Sequence, residues 1–203
     1  QTQYGTLFME NRYTDFSNYY PHNTLRNLWT ISRFFPARKF QFELLNNRLN
    51  PDRYPGDPLA PGALDIRYEL ACVFFANPLF WMELQHLAPE DQAALGKLLK
   101  IWKDCRADLK DAEVLPIGRM PDGCSLTGFQ ADCGNGGGYL LLFREPLAPA
   151  EGVLPIRPVA APASLRPLAS NLPKDGFSVT CDGDWLTLSM DQPGSYLLLR
   201  YRK

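Results

Sequence analysis

LFMENRYTDFSNYY, residues 7 to 20, begins with three apolar residues and then becomes polar without a break. Glu10, Asn11, Arg12 and Asp15 stand between aromatic residues, as they do where a buried strand ends in a polar pocket. Planar donors and acceptors of this kind bind the hydroxyls of polyhydroxylated ligands, and aromatic rings cover the apolar C–H faces of such ligands. The same stretch also fits a strand followed by an ordinary surface loop, because loops are often rich in Asn, Asp, Ser and Tyr. Taken by itself, it leaves both interpretations open.

The composition is that of a globular protein with a buried core. The 203 residues are 45% hydrophobic and 21% charged, which is enough for one large or two modest domains. The chain has 21 Lys and Arg against 22 Asp and Glu, a formal net charge of -1. No basic field therefore favours a nucleic acid or an anionic membrane surface as partner. Apolar runs such as Leu70 to Met82 are interrupted and too short to span a bilayer, so we predict a soluble chain.

The chain begins with Gln1 rather than Met, and neither a basic nor an apolar targeting segment opens it. We expect an internal piece or a mature product of a longer protein, in a secreted or periplasmic location rather than a cytoplasmic one. Cysteines at positions 72, 105, 124, 133 and 181 show no CxxC spacing and no histidine at ligand distance. We therefore expect neither a metal site nor a cofactor. Cys124 and Cys133 could pair across a hairpin, although the odd total makes no disulfide framework necessary.

Residues 1 to about 112 alternate strand and helix patterns three times. The predicted strands are Thr6 to Met9, Lys39 to Leu45 and Leu79 to Leu84, and the predicted helices are His22 to Phe35, Leu64 to Ala76 and Pro89 to Leu109. The first helix should start with Asn23 or Thr24 as its cap. Asn46 to Pro61 carries four prolines and should form a long irregular loop of the kind that often has a function. The alternation is typical of a parallel sheet or a barrel of βα units, although a closed barrel needs about eight units.

From about Val114 the pattern changes to short β-type runs separated by Gly, Pro, Asn and Asp. These runs are Ser125 to Gln130, Gly138 to Arg144, Phe177 to Cys181, Trp185 to Met190 and Ser195 to Tyr201. The Pro-rich stretch Pro146 to Pro173 should be an edge strand or a connection, because proline denies a central strand its ladder donors. The predicted fold class is α/β plus all-β. Residues 1–112 would be a partial (β/α) barrel of three units, and residues 113–203 an antiparallel β-sandwich.

Polar side chains concentrate on the loops after the first two predicted strands. They are Glu10, Asn11, Arg12, Asp15, His22, Asn46, Asn47, Arg48, Asp52, Arg53 and Asp57. Functional groups of a βα barrel lie on such loops, so this density suits a carbohydrate pocket. A solvated rim held by Arg–carboxylate pairs would have the same composition. Glu83, which follows Trp81, is either a charge paired inside the barrel or a ligand contact.

The order of the segments resembles the end of the melibiase-type α-galactosidases. The similarity rests on FMENRYTD, RNLW, FQFELLN, FFANPLFWMEL and IWKDCR, followed by PIG and the β-type runs. Thr14 and Asp15 match the end of one strand of that family, and Glu83 with Leu84 matches a second. Trp102 and Arg106 match an aromatic residue and an arginine of the helix that follows. SLTGF and YLLLFRE, at residues 125–129 and 139–145, resemble strands of the family's sandwich.

The resemblance implies the last βα units of a catalytic barrel and the C-terminal sandwich of a hydrolase that cleaves α-glycosides with retention. The substrate-binding residues would be Glu10, Asn11, Arg12, Tyr13, Asp15, Asn46 and Asn47. Retaining glycosidases use two carboxylates about 5 Å apart. The family's motifs for that pair do not occur here, so we expect no catalytic residue in this chain and no activity from it alone. Its expected partners are a carbohydrate substrate and either the missing N-terminal part of the barrel or a second copy.

A non-catalytic carbohydrate-binding or accessory module is the alternative. Such a module would need two or three exposed aromatic residues in a row on its sandwich. Trp185 and Tyr196, exposed together on one flat face, would favour it. Most aromatic residues of the β-type runs lie within apolar stretches, however, which favours a core role for them.

Overall fold

The structure is a computed structural model that describes residues 7–9, 20–44, 46, 48, 51–80, 82, 84–134, 136–158 and 164–202. Its helices are α1 (Pro21–Ile31), α2 (Ile66–Cys72) and α3 (Pro89–Leu109). Its strands are β1 (Leu7–Met9), β2 (Phe40–Leu44), β3 (Asn77–Phe80), β4 (Glu113–Gly118), β5 (Leu126–Asp132), β6 (Gly138–Arg144), β7 (Glu151–Pro155), β8 (Ser164–Ser170), β9 (Phe177–Asp182), β10 (Trp185–Met190) and β11 (Ser195–Arg202). Within this described part no helix is long and apolar enough to cross a membrane.

The helix boundaries follow from residues at their first positions. Pro21 opens α1, with Tyr20 as the N-cap and no side-chain cap. The prediction that Asn23 or Thr24 caps this helix is wrong, because proline with its fixed φ is well suited to a first helical position. Asp65 caps α2, and its Oδ1 accepts the Arg67 backbone N–H at 2.7 Å. α3 has the predicted bounds and carries Glu90 and Asp91 in its first turn, where the helix dipole favours negative charge.

Three parallel strands form one sheet in the order β1-β2-β3. The first and second strands align Met9 with Phe42, and the second and third align Phe42 with Pro78. The third strand starts at Asn77 rather than at the predicted Leu79, because α2 ends early, at Cys72. Pro78 is tolerated because β3 is an edge of the described sheet and pairs with β2 on one side. The predicted alternation of strand and helix therefore yields a parallel arrangement.

Two antiparallel sheets form the rest of the chain, as predicted for residues 113–203. The larger has the order β4-β5-β6-β11-β8, and the smaller has the order β7-β10-β9. Strands β7 and β8 come from the Pro-rich stretch and both lie at sheet edges, as expected. Strand β4 was not predicted as a strand. It contains Pro116 and is likewise an edge strand.

The five-stranded sheet is a middle layer that is covered on both faces. One face packs against the antiparallel sheet β7-β10-β9, with Leu188 among the residues it contacts. The side chains on this face are Leu140, Leu142, Leu197 and Leu199. Phe129, Tyr139, Leu141, Phe143, Tyr196 and Leu198 on the other face share a core with the helices and the parallel sheet. This double burial explains why the central strands read as continuous apolar runs.

Specific contacts join the helical part to the five-stranded sheet across the predicted boundary at residue 112. Tyr68 meets Phe143 edge to face, with ring centroids 5.3 Å apart, and Phe75 meets Phe129 at 6.2 Å. The Trp29 indole N–H donates to the Ile117 carbonyl at 3.2 Å. A single hydrophobic core thus extends across that boundary.

Candidate functional site

The candidate site lies where the parallel strands end. Because β1 and β2 run in parallel with Met9 opposite Phe42, their carboxyl ends lie at the same sheet edge. Glu10, Asn11, Arg12, Tyr13, Asp15 and Asn47, six of the predicted substrate-binding residues, lie outside the described part of the chain. Trp81 and Glu83 lie outside it as well. Asn46 is the predicted binding residue whose position is described.

Asn46 shapes the turn that follows β2. It is 7% exposed, and its Oδ1 accepts the Arg48 backbone N–H at 2.9 Å. This contact is a local Asx-type bond, in which the side-chain oxygen takes over the part of a backbone carbonyl. With its oxygen engaged in the turn, the side-chain NH2 is the group that Asn46 can offer to a ligand.

Arg48 ties the two ends of the following loop together. Its Nη1 donates to the Gly62 carbonyl at 3.0 Å, and its Nε lies 3.8 Å from Asp91 Oδ2. The side chain is 52% exposed, so the contact with Asp91 is screened by solvent and contributes little stability. The bond to Gly62 has the clearer consequence, since it closes the loop around a cleft.

Tyr20, Tyr54 and Asp57 form a cluster that connects the start of α1 to this loop. The Tyr20 hydroxyl donates to Asp57 Oδ2 at 2.5 Å, and the Leu59 backbone N–H donates to Asp57 Oδ1 at 2.8 Å. The Tyr20 and Tyr54 rings meet edge to face at 5.3 Å. The Tyr20 hydroxyl bond, the Leu59 bond and the charge of His22 lower the pKa of Asp57, while partial burial opposes them. Asp57 is therefore ionised at neutral pH and acts as a hydrogen-bond acceptor.

A cleft of about 520 Å³ opens within the loop. Arg48, Tyr54 and Asp57 supply its functional groups, and prolines, alanines and glycines of residues 51–63 supply the remaining surface. One cation, one carboxylate and one aromatic ring on a largely apolar wall fit a neutral ligand that carries several hydroxyls. The residues Tyr20 and Tyr54 were missed at the sequence level, because no periodicity links the start of a helix to a Pro-rich loop.

Glu43 is a further candidate that sequence reasoning missed. Strand alternation places it on the sheet face opposite Phe42 and Leu44, and it is 1% exposed. A carboxylate at such a position is costly to bury unless it is bound by polar groups or a ligand. The alternation of Gln41 and Glu43 with apolar residues was the available signal.

The sandwich contacts the cleft loop directly. A Cβ atom built on Gly123 would lie 2.8 Å from Leu59 Cδ1, and one built on Gly194 would lie 2.5 Å from Leu64 Cδ2. Both glycines have positive φ, at 89° and 63°. Two tight turns of the sandwich therefore press against the loop that forms the cleft.

The cysteines are free thiols, so the considered Cys124–Cys133 pairing is not formed. Within the described part of the chain no group of three or more His, Cys, Asp or Glu side chains is placed to hold a metal ion. The aromatic face considered for a binding module is not formed as a pair. Trp185 is 54% exposed, whereas Tyr196 is buried at 1%.

Most aromatic residues of the sandwich have the core role that their apolar strands predicted. Phe129, Tyr139, Phe143, Tyr196 and Tyr201 are all buried. Trp102, which the resemblance singled out, donates its indole N–H to the Phe74 carbonyl at 2.9 Å. This bond joins α3 to the residues that directly follow α2, so Trp102 has a structural role.

No protein-family model and no curated protein matches the chain. Solved structures with a similar fold include α-galactosidases. One is the GH36 α-galactosidase AgaA from Geobacillus stearothermophilus, a variant in complex with 1-deoxygalactonojirimycin, with a TM-score of 0.56, 9% identity and 90% of this chain covered. Another is the galactosidase domain of the α-galactosidase-sucrose kinase AgaSK, with a TM-score of 0.55, 9% identity and 84% coverage. The chain spans 24% of the length of each, and at this identity the likeness concerns the fold.

Proposed function

We propose that this chain is the C-terminal portion of a glycoside hydrolase related to the α-galactosidases. Residues 1–112 would supply the last three βα units of its barrel, and residues 113–203 its C-terminal sandwich. The observation that carries the proposal is the fold likeness to AgaA, which extends over 90% of this chain. The parallel order β1-β2-β3 supports it, as does a cleft with a few polar groups in the loop that follows β2.

In the proposed parent, this segment forms walls of the sugar pocket. Glu10, Asn11, Asp15, Asn46 and Asn47 would bind substrate hydroxyls, Arg12 would line the same pocket, and Tyr13 or Tyr19 would cover a ring face. In the cleft, Tyr54 would add a ring edge and Asp57 an ionised acceptor. Hydrogen bonds to a charged group contribute roughly 1.5–3 kcal/mol each. Such contacts hold the sugar in position for chemistry that takes place on other strands.

The reaction proposed for the parent is retaining hydrolysis of an α-glycoside. It needs a nucleophilic carboxylate and an acid/base carboxyl about 5 Å apart. Neither is assigned to this chain. The rest of the barrel, or a second copy, would have to cover the edges of the three-stranded parallel sheet, since open strand edges are prone to pair.

The test uses the longer protein that contains this segment. Hydrolysis of aryl α-glycosides should be detectable, with galactosides as the first substrates to examine. Asp57→Asn should raise KM about tenfold, equivalent to about 1.4 kcal/mol. Asp52→Asn is the matched control, because Asp52 is exposed in the same loop and should change KM less than twofold. Absence of binding to every α-glycoside in calorimetric titration would refute the proposal. Equal changes of KM in the two variants would show that the cleft does not take part in substrate binding.

A non-catalytic carbohydrate-binding module remains the second candidate, favoured by the exposure of Trp185. In that case the longer protein would bind glycans without cleaving any of them. Product analysis by chromatography after prolonged incubation distinguishes the two functions.

A further inference from the structure

The outer face of the antiparallel sheet β7-β10-β9 exposes a tryptophan. Leu186, Leu188 and Met190 point inward from β10 and are completely buried, so the alternating residues Trp185 and Thr187 point outward. Trp185 is 54% exposed and follows a turn in which Gly183 has a φ of 58°. A single exposed ring is ordinary by itself, so the residues beside Trp185 decide whether this face can bind another molecule.

The strand register fixes the neighbours of this ring. Pro155 of β7 and Asp182 of β9 lie directly opposite Trp185, one on each side. In the next outward row, Thr187 has Val153 on one side and Thr180 on the other. Directly opposite side chains on one sheet face are about 5 Å apart. The six residues therefore form a platform with apolar side chains toward β7 and a carboxylate and a hydroxyl toward β9.

The chemistry of the platform selects among possible occupants. None of its six residues is basic, so it offers no cation to a phosphate or another anionic ligand. Three strands about 4.8 Å apart and two outward rows about 7 Å apart give the platform an area of roughly 200 Å². A stable protein interface buries roughly 800 Å² on each partner, so the face is too small to hold a second copy by itself. One or two sugar rings match both its size and its mixture of ring, carboxylate and hydroxyl groups.

We propose that the outer face of β7-β10-β9, centred on Trp185, is a binding site for neutral oligosaccharides. The C–H face of a sugar ring stacks on the indole, and Asp182 and Thr180 bind its hydroxyls. This site is distinct from the cleft of residues 51–63, because the five-stranded sheet lies between this face and the helical layer. It therefore does not rest on the proposed catalytic function.

Native affinity electrophoresis of this chain in gels containing galactomannan or pullulan tests the site. The chain should be retarded, and Trp185→Ala should bind at least tenfold more weakly, with Trp185→Tyr recovering part of the affinity because a smaller ring remains. Phe34→Ala is the matched control, since Phe34 is a 72% exposed ring in the helical part and should leave retardation unchanged. Because Asp57 lies in the cleft that is itself proposed to bind sugars, the fraction of retardation lost in Trp185→Ala, and not retardation alone, assigns binding to this site.

Failure of both polysaccharides to retard the unmodified chain would overturn the proposal, as would equal binding by Trp185→Ala. Light scattering of the same variants supplies the remaining outcome. A dimer that Trp185→Ala dissociates would identify a second copy as the occupant and would also overturn it.

Discussion

Glu145 is expected to hold the sandwich turn that supports the cleft. Its side chain is completely buried, and Oε2 accepts backbone N–H groups from Asp122 at 3.0 Å, Gly123 at 2.9 Å and Ser125 at 2.9 Å. The same turn places Gly123 against Leu59 of the cleft loop. Replacing Glu145 by Ala removes the acceptor from all three donors at once.

The magnitude follows from how many donors lose their partner in a buried place. Two of the three bonds, those from Gly123 and Ser125, are buried. A buried N–H without an acceptor costs about 1–3 kcal/mol. Part of this cost is offset, because Glu145→Ala also removes a carboxyl group that is costly to bury. The substitution should therefore lower the free energy of unfolding by about 3 kcal/mol. Glu145→Gln retains an oxygen for the three N–H groups and should stay within about 1 kcal/mol of the unmodified chain.

The pH dependence has a defined sign. Burial raises the pKa of Glu145 above its ordinary value of 4.5, and the negative charge of Asp122 raises it further. The three backbone N–H bonds lower this pKa but do not outweigh burial. The folded chain therefore binds this proton more tightly than the unfolded chain. Stability should fall as the pH rises above about 4.5 and through the folded pKa. Glu145→Gln carries no such proton, so its stability relative to the unmodified chain should increase over that range.

Urea denaturation followed by circular dichroism, repeated from pH 4 to pH 8, measures these differences. Burial also raises the pKa of Glu69, but that contribution is common to all the proteins compared and cancels. Glu151→Ala is the control, since Glu151 is exposed at the start of β7 and should change stability by less than about 0.5 kcal/mol. Equal instability of Glu145→Gln and Glu145→Ala would contradict this role of Glu145, as would a difference from the unmodified chain that does not vary with pH.

Three further outcomes are expected. Tyr20→Phe should raise the pKa of Asp57 toward its ordinary value in an NMR titration, because it removes the hydroxyl donor; an unchanged titration would contradict the bond. Phe143→Ala should destabilise the chain by about 3–5 kcal/mol, and fluorescence and circular dichroism should report one joint urea transition because the core is shared. Iodoacetamide at pH 8 should modify exposed Cys124 well before Cys133, since burial raises the pKa of Cys133 to about 11 and leaves about one thiol in a thousand ionised; equal labelling rates in mass spectrometry would contradict this.

The sequence predicted best those elements whose pattern and end signals agree. Helix α3 has the predicted bounds because its apolar positions, the opening Pro89 and the acidic first turn all indicate the same limits. Strands β6 and β10 also have the predicted bounds, since Gly137 precedes β6 and Asp184 and Asp191 flank β10. The N-cap of α1 and the position of β3 were predicted less well, because Pro21 serves as a first helical residue and Pro78 as part of an edge strand. Helix α1 also ends at Ile31, four residues before the predicted Phe35.

Little of the candidate site could be derived from the sequence, because its contacts join distant residues. Tyr20 and Asp57 are 37 positions apart, and neither local pattern identifies the other. Asn46 was predicted to bind a ligand, and the structure adds that its oxygen is engaged in a turn. The two-sided burial of the middle sheet was not predicted either, since a continuous apolar strand does not reveal which layers cover it.

The position of the sandwich gives it a role in shaping the cleft. Arg48 and Gly62 hold the cleft loop from within, while Leu59 of the loop and Leu64 directly after it rest on turns of the sandwich at Gly123 and Gly194. At both glycines any larger side chain would combine a strained positive φ with a contact below 3.0 Å. Backbone hydrogen bonds such as that from the Tyr54 N–H to the Pro51 carbonyl close individual turns within the loop, and the sandwich turns hold these loop turns in place from outside. The sandwich therefore braces the loop that forms the cleft, and we predict that a substitution at either glycine changes the affinity of the proposed sugar site without contacting the sugar.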